Sequence, residues 1–553
     1  MTAVLDDGLH ATALAWRDED PDPATTAALD SLLAKADAGD AAAVAELVEA
    51  FAGPLSFGTA GLRGPLGPGP ARMNRVVVTR AAAGLARYLV GLGHEGGRVI
   101  VGYDARYNSA VFAADTAEIL AGAGLSPLLC SRPLPTPVVA FGIGHFECVA
   151  GVVVTASHNP PQDNGYKVYL GDGSQIIPPA DSDIAAQIAV VSGWPLADLA
   201  RSEDYPLVGD ELVDAYVARA AALVPPAAPR ELTWVYTALH GVGSAVVNAL
   251  VLASGFPAPH RVAEQDRPDP AFPTVAFPNP EEPGAIDLTL ALARTVGADV
   301  AIANDPDADR CAIAAVLDGD WRMLSGDELG ALLAEDAMRR RVTGTYACSV
   351  VSSTLLGTMA AANGYPFTTT LTGFKWIGRV PDLAFGYEEA IGYCTDPKAV
   401  PDKDGITTLL RVLTLVAGLK AAGQTVADRL AEIQRRYGLH LTSQLAFRVS
   451  DLELIDAAMA RVRTTPPVTL AGHPVRAVDL ADGSAELPAT DGVLFEGDGV
   501  RVVVRPSGTE PKLKCYLQVK LTVEESQQLS MAKVRANQLM AEARADMTAA
   551  LGL

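Results

Sequence analysis

Four short loops concentrate the residues of this chain that could do chemistry. The first, Thr155-Ala156-Ser157-His158-Asn159-Pro160, follows directly on the apolar run CVAGVVV. That order places Ser157 at a strand end, where parallel α/β sheets meet their ligands. A serine that is transiently esterified needs such a position, together with cations that stabilise developing phosphate charge, and His158 and Lys167 stand near in sequence. The same residues also suit a plain turn in which Ser, His and Asn act only as caps.

The second loop, Asp305-Pro306-Asp307-Ala308-Asp309-Arg310, follows VAIAN. Three carboxylates at alternate positions after a strand offer the hard oxygen ligands that Mg²⁺ prefers, and substrate phosphate commonly completes its shell. Arg310 beside them has the planar fork that holds phosphate. The alternative is a solvated acidic turn, although packing three carboxylates against a buried strand without a cation is costly. In the third loop, Gly386-Tyr387-Glu388-Glu389-Ala390-Ile391-Gly392, two adjacent carboxylates could accept hydrogen bonds from vicinal hydroxyls, or simply face water. The fourth, Arg505-Pro506-Ser507-Gly508-Thr509-Glu510-Pro511, offers a guanidinium, two hydroxyls and a glycine-permitted run of backbone N–H groups, the parts of a phosphate cradle. It lacks the GK[ST] ending of a Walker loop, and a tight turn between strands is the competing reading.

The elements that must position these loops are legible as a repeated rhythm. A helical lead-in is expected over the first fifty residues, with Leu29, Leu32, Leu33, Ala43, Leu47 and Val48 at helical spacing after the turn Asp20-Pro21-Asp22-Pro23. From Arg98, a strand (VIVGYD), an amphipathic helix (FAADTAEILAGAGL) and a second strand read as βαβ units. The rhythm restarts at LTWVYTALHGVG and again near Gly326. The last hundred residues read as strands followed by a long helix from about Glu524, an α+β arrangement. Domains are therefore expected at 1–205, 206–323, 324–441 and 442–553.

The chain has 553 residues, too many for one core, and is 49% hydrophobic and 20% charged, which excludes a disordered chain. Its net charge of −22 argues against binding nucleic acid or anionic membrane, both of which require Lys and Arg to replace counterions. The six cysteines show neither CxxC pairs nor clustering, so buried thiols in a reducing compartment are expected. With an acidic start, MTAVLDDGLH, and no apolar run of membrane-spanning length, the expected location is the cytoplasm.

In this order, TASHNP, DPDADR, GYEEAIG and RPSGTEP resemble the four signature loops of the α-D-phosphohexomutase superfamily. FGTAGLRG (57–64), GYDARYNS (102–109), NGYKVY (164–169), TGFKWIG (372–378) and DKDG (402–405) extend the resemblance over about residues 50 to 520. It implies three related α/β domains and a C-terminal α+β domain around a central cleft, each lending one loop. It also implies that Ser157 is the phosphoserine, that Asp305, Asp307 and Asp309 hold Mg²⁺ with a phosphoserine oxygen, and that Glu388 and Glu389 meet the sugar hydroxyls. Arg505, Ser507, Gly508 and Thr509 match the site for the phosphate that is not transferred. Arg63, His158, Lys167 and Arg310 match positions at the reaction centre, and Lys375 matches a further substrate-facing lysine.

The activity so implied interconverts sugar 1-phosphate and sugar 6-phosphate, for glucose and/or mannose, through a bisphosphorylated sugar that also primes the enzyme. Where many hexose-specific relatives have Ser, this chain has Ala390, and EEAIGY is closer to the branch that includes phosphopentomutases, so a ribose 1-/5-phosphate mutase is the alternative. Two further readings differ in kind. VAIANDPDAD also fits the strand-then-DxD of haloacid-dehalogenase-like phosphatases, with Asp305 as nucleophile; a non-catalytic sugar-phosphate sensor would keep the cradle without needing Ser157 or the three aspartates.

Overall fold

Aspartates start the first three helices. Asp6, Asp22 and Asp40 each accept first-turn backbone N–H groups of Asp7–Glu19, Pro23–Asp37 and Ala41–Ala50, a cap contributing about 1 kcal/mol. Leu29, Leu33, Ala43 and Leu47 of this lead-in are buried with Trp16 and with Val76 of the helix Arg75–Gly91. Val48, expected in the same stripe, is instead 53% exposed, because the short helix Ala41–Ala50 presents only one face to its neighbours. The computed structural model describes residues 5–449, 453–484, 487–506, 512–523 and 529–553. Two compact units divide the chain: Met1–Ala312 with Lys398–Leu413, and Ile313–Pro397 with Thr414–Leu553.

In the first unit a six-stranded sheet runs in the order Leu62–Pro65, Asp163–Leu170, Ala150–Val154, Arg98–Tyr103, Ser126–Cys130, Leu207–Val208. Arg98–Tyr103 pairs in parallel with both neighbours, and its run of buried residues reflects helices packed on the sheet. One of these, Ser109–Gly122, begins three residues before the expected amphipathic stretch and buries Phe112, Ala113, Asp115, Thr116, Ala117, Ile119 and Leu120. It is covered by the helix Arg75–Gly91 as well as by the sheet, and its buried Asp115 is compensated by Arg75 and Arg201 at 2.7 and 2.8 Å. Asp163–Leu170 runs antiparallel to Ala150–Val154, with Lys167 opposite Val153. A second set of parallel strands places Trp234–Thr237 between His260–Arg261 and Val300–Asn304.

In the second unit, Thr345–Ser349 pairs in parallel with Phe367–Thr370 and Leu383–Glu388, and Gly392–Cys394 closes that sheet antiparallel. A five-stranded antiparallel sheet follows, in the order Leu439–Arg448, Lys512–Leu521, Val500–Pro506, Val493–Glu496, Arg476–Asp479. The helices Glu453–Thr464 and Leu529–Leu551 pack Met459, Val462, Leu539 and Met547 against Val502, Val504, Cys515 and Leu517 of this sheet. The repeated α/β rhythm and the α+β close are therefore as the sequence predicts. All six cysteines are buried, and none is in a disulfide. Among the described residues no single helix is long and apolar enough to cross a membrane.

Candidate active site

The strand Val300–Asn304 delivers the loop 305–310, and the strand Ala150–Val154 delivers Ser157; both lie in the first unit. Ser157 Oγ donates to Asp305 Oδ2 at 2.9 Å and lies 3.1 Å from His158 Nδ1. A hydroxyl has one proton, so with Asp305 receiving it the contact to His158 is made by an Nδ1–H donating to Oγ. Burial and the nearby Arg310 and Arg63 push the His158 pKa well down, which keeps its imidazole neutral.

Asp305, Asp307 and Asp309 are 0 to 1% exposed, and one oxygen of each lies within 4.8 Å of the others. Lys167 Nζ bridges two of them, donating to Asp307 Oδ2 and Asp309 Oδ2 at 2.7 Å each. The consequences for ionisation differ within the triad. Burial, then Asp307 and Asp309, push Asp305 well above the usual carboxylate range. Burial opposes ionisation of Asp309 too, but Lys167, Lys403 and Arg310 outweigh it and hold this group below that range. Lys167 is likewise raised, the two aspartates overcoming its desolvation. Asp307 Oδ1 and Asp309 Oδ1 are buried and accept no hydrogen bond. Orphaned hard oxygens within a cluster of three carboxylates fit a divalent cation, so these three residues could hold a metal ion.

Arg63, on Leu62–Pro65, reaches Asn159 Oδ1 at 3.2 Å. Gly61 permits its approach: it adopts φ +72°, and a Cβ there would overlap the Tyr166 carbonyl. Arg310 Nε lies 3.9 Å from both Asp305 and Asp309. Thus Arg63, Ser157, His158, Lys167, the three aspartates and Arg310 come together in the first unit.

The other expected residues lie in the second unit. Glu388 ends the strand Leu383–Glu388 and is buried; Glu389 Oε2 accepts from Ser349 and Ser352 at 3.0 and 3.1 Å. Burial and the adjacent Glu388 push the Glu389 carboxyl up to about 7. Lys375 sits on the one-turn helix Phe374–Ile377, which packs on that same strand. Arg505 stands opposite Lys514 near the end of Val500–Pro506 and is partly buried. Ser507, Gly508 and Thr509 lie outside the described residues.

Several residues at these sites were not singled out from sequence. Lys403 is buried 3.4 Å from Asp309 Oδ2. The DKDG motif was its signal, and Gly405 explains the approach, since a Cβ there would meet the carbonyls of Arg310 and Ala308. Thr136 binds Asp307 twice, Oγ1 donating to Oδ2 at 2.7 Å and N–H to the main-chain carbonyl at 2.9 Å. Neither Thr136 nor the pair Ser349 and Ser352 has any local pattern that marks it.

Comparison with known proteins gives the family of the chain. Models of the phosphoglucomutase/phosphomannomutase α/β/α domains I, II and III match residues 54–192, 214–317 and 325–437, and that of the C-terminal domain matches 445–536. A Haemophilus influenzae protein named "Probable phosphomannomutase" is 48% identical over 80% of this chain and 92% of its own length. The human phosphopentomutase is 36% identical over 86% of each chain, and a Staphylococcus aureus phosphoglucomutase 31% identical over 85% of this chain and 91% of its own. The solved structure of a phosphoglucomutase/phosphomannomutase family protein from Burkholderia thailandensis shares the fold, with a TM-score of 0.67 at 19% identity over 90% of this chain and 97% of the other. With all four domain models matched in order, the chain belongs to the phosphoglucomutase/phosphomannomutase family and is a phosphosugar mutase.

Proposed function

We propose that this enzyme moves a phosphoryl group between two oxygens of one sugar by way of phospho-Ser157, acting on glucose and/or mannose 1- and 6-phosphates. The observation that carries the reading is the hydrogen bond from Ser157 Oγ to Asp305 beside two carboxylate oxygens that no donor satisfies. Mg²⁺ held by Asp305, Asp307, Asp309 and a phosphoserine oxygen would supply charge stabilisation as the phosphoryl group leaves or returns. Lys167 and Arg310 add fixed positive charge, and the neutral His158 is placed to pass a proton at Oγ. Arg63 completes the basic surround. In the second unit, Glu388 and Glu389 accept from sugar hydroxyls, Lys375 faces the substrate, and Arg505 with Ser507, Gly508 and Thr509 holds the phosphate that stays. A sugar bisphosphate primes the resting serine, and we infer that the working domains divide near 205, 323 and 441.

Peptide mapping after incubation with glucose 1,6-bisphosphate tests this directly. Phosphate is expected on Ser157, and the Ser157→Ala variant is expected to fold and be inactive; full activity in that variant refutes the reading. Phosphate on Asp305 instead would establish the phosphatase-like chemistry.

A pentose substrate is the second reading, favoured by Ala390 and by the phosphopentomutase relatives. A missing serine hydroxyl removes one hydrogen bond of about 0.5–1.5 kcal/mol, roughly a three- to tenfold effect, too small to exclude hexoses. Competition among glucose, mannose and ribose 1-phosphates decides the point: a kcat/KM advantage for ribose above about tenfold overturns the hexose assignment.

A further inference from the structure

The motif GYDARYNS is not used by the chemistry above, yet its charged pair is among the most buried in the first unit: Asp104 is 2% and Arg106 4% exposed. The Arg106 guanidinium reaches the main chain of the serine loop and the start of the strand that follows it. Nη2 donates to the carbonyls of Ser157 and Asn159, each at 2.6 Å, and Nη1 to those of Pro160 and Asp163 at 2.8 and 3.2 Å. The Phe272 ring stacks against the guanidinium, its centroid 4.9 Å from the guanidinium carbon. Asp104 holds the other side of the same loop. Its Oδ2 accepts from Thr155 Oγ1 at 2.6 Å, and Thr155 Oγ1 in turn accepts the Ser157 N–H at 2.8 Å. Both peptide groups of Ser157 are therefore pinned by one ion pair, whose members stand 3.3 Å apart.

The clamp acts on a backbone that needs it. Ser157 adopts φ +51°, a left-handed conformation that a non-glycine residue holds only when its surroundings over-determine it. That conformation is what directs Oγ to Asp305 and His158. Four carbonyls around one guanidinium are more than cohesion of a short turn requires, and a lysine ammonium in that place would lack the planar fork that reaches them together.

We propose that Arg106, with Asp104 and Thr155, is a positioning residue for the phosphoryl-carrying serine, setting the rate of phosphoryl transfer and not the affinity for sugar phosphate. This rests on Ser157 being the carrier.

The test uses the full-length enzyme and three variants, Arg106→Lys, Arg106→Ala and Thr155→Val, the last removing one hydroxyl at constant volume. Displacing a reacting atom by about 1 Å costs roughly 100-fold in rate. The expected result is a kcat reduced by about that factor in Arg106→Lys and by at least about tenfold in Thr155→Val, with KM changed by less than about threefold. Millimolar guanidinium should restore part of the activity of Arg106→Ala and none of that of Ser157→Ala. If phosphate maps to Ser157 in the parent while Thr155→Val and every folded Arg106 variant keep kcat within twofold, or lose only KM, the positioning role is overturned and the carrier assignment stands. If Ser157→Ala itself turns over, the carrier assignment fails and this inference falls with it.

Discussion

Lys167→Met is the most informative single substitution at the triad, because methionine keeps much of the stem's volume and removes only the ammonium. That ammonium makes two contacts of 2.7 Å. At an effective dielectric constant of about 20 each contact contributes roughly 6 kcal/mol before the cost of burying the lysine is deducted. Breaking a buried pair by removing one partner costs about 3–5 kcal/mol in net terms. The lower end applies here, since Lys403 remains 3.4 Å from Asp309. In EDTA, a loss of about 3 kcal/mol lowers the first unit's melting temperature by roughly 3–6 °C, given the scaling for chains above about 250 residues.

Mg²⁺ has the opposite effect on the variant. A cation that binds only the folded state returns about 2.7 kcal/mol at 100 times its dissociation constant, so saturating Mg²⁺ should nearly close the gap. The parent, already neutralised by Lys167, gains less. Thermal melts of both proteins in EDTA and in MgCl₂ measure all four values. Equal melting temperatures in EDTA, or a gap that Mg²⁺ leaves unchanged, would refute the view that Lys167 is the counter-charge of the metal site.

Three further outcomes are expected. Glu389, raised to about 7 by burial and by Glu388, binds its proton more tightly folded than unfolded, so stability falls as pH rises from about 4.5 to about 7 and is flat above. Its ionised form accepts from sugar hydroxyls, so KM should fall as pH rises through about 7, and Glu389→Gln should erase that inflection. Asp307→Asn removes a ligand's negative charge while keeping its shape; Mg²⁺-dependent turnover should drop by at least about 100-fold, measured by Mg²⁺ titration of the rate. Arg505→Ala should raise KM by about tenfold, the loss of a charged hydrogen bond, and release bisphosphate detectable by chromatography.

The chemistry-bearing loops were readable because each is contiguous and follows an apolar run. TASHNP after CVAGVVV and DPDADR after VAIAN announce a strand end locally, and a strand end is where backbone order stops and side chains turn outward. Helix starts at Asp6, Asp22 and Asp40 were written in capping residues for the same local reason. What periodicity could not give was the partner of each group. The repeated rhythm implied parallel strands, whereas Asp163–Leu170 runs antiparallel, and that register is what brings Lys167 to aspartates 140 and 142 residues away. Thr136 meets Asp307 across 171 residues, and Lys403 reaches Asp309 because Gly405 lets two backbones touch. Sequence alone thus determined which oxygens, nitrogens and hydroxyls the enzyme has at its strand ends. Only the tertiary structure decided which are paired, which stay orphaned and how far each pKa moves, because those quantities depend on distance and burial, and neither is encoded within one turn of the chain.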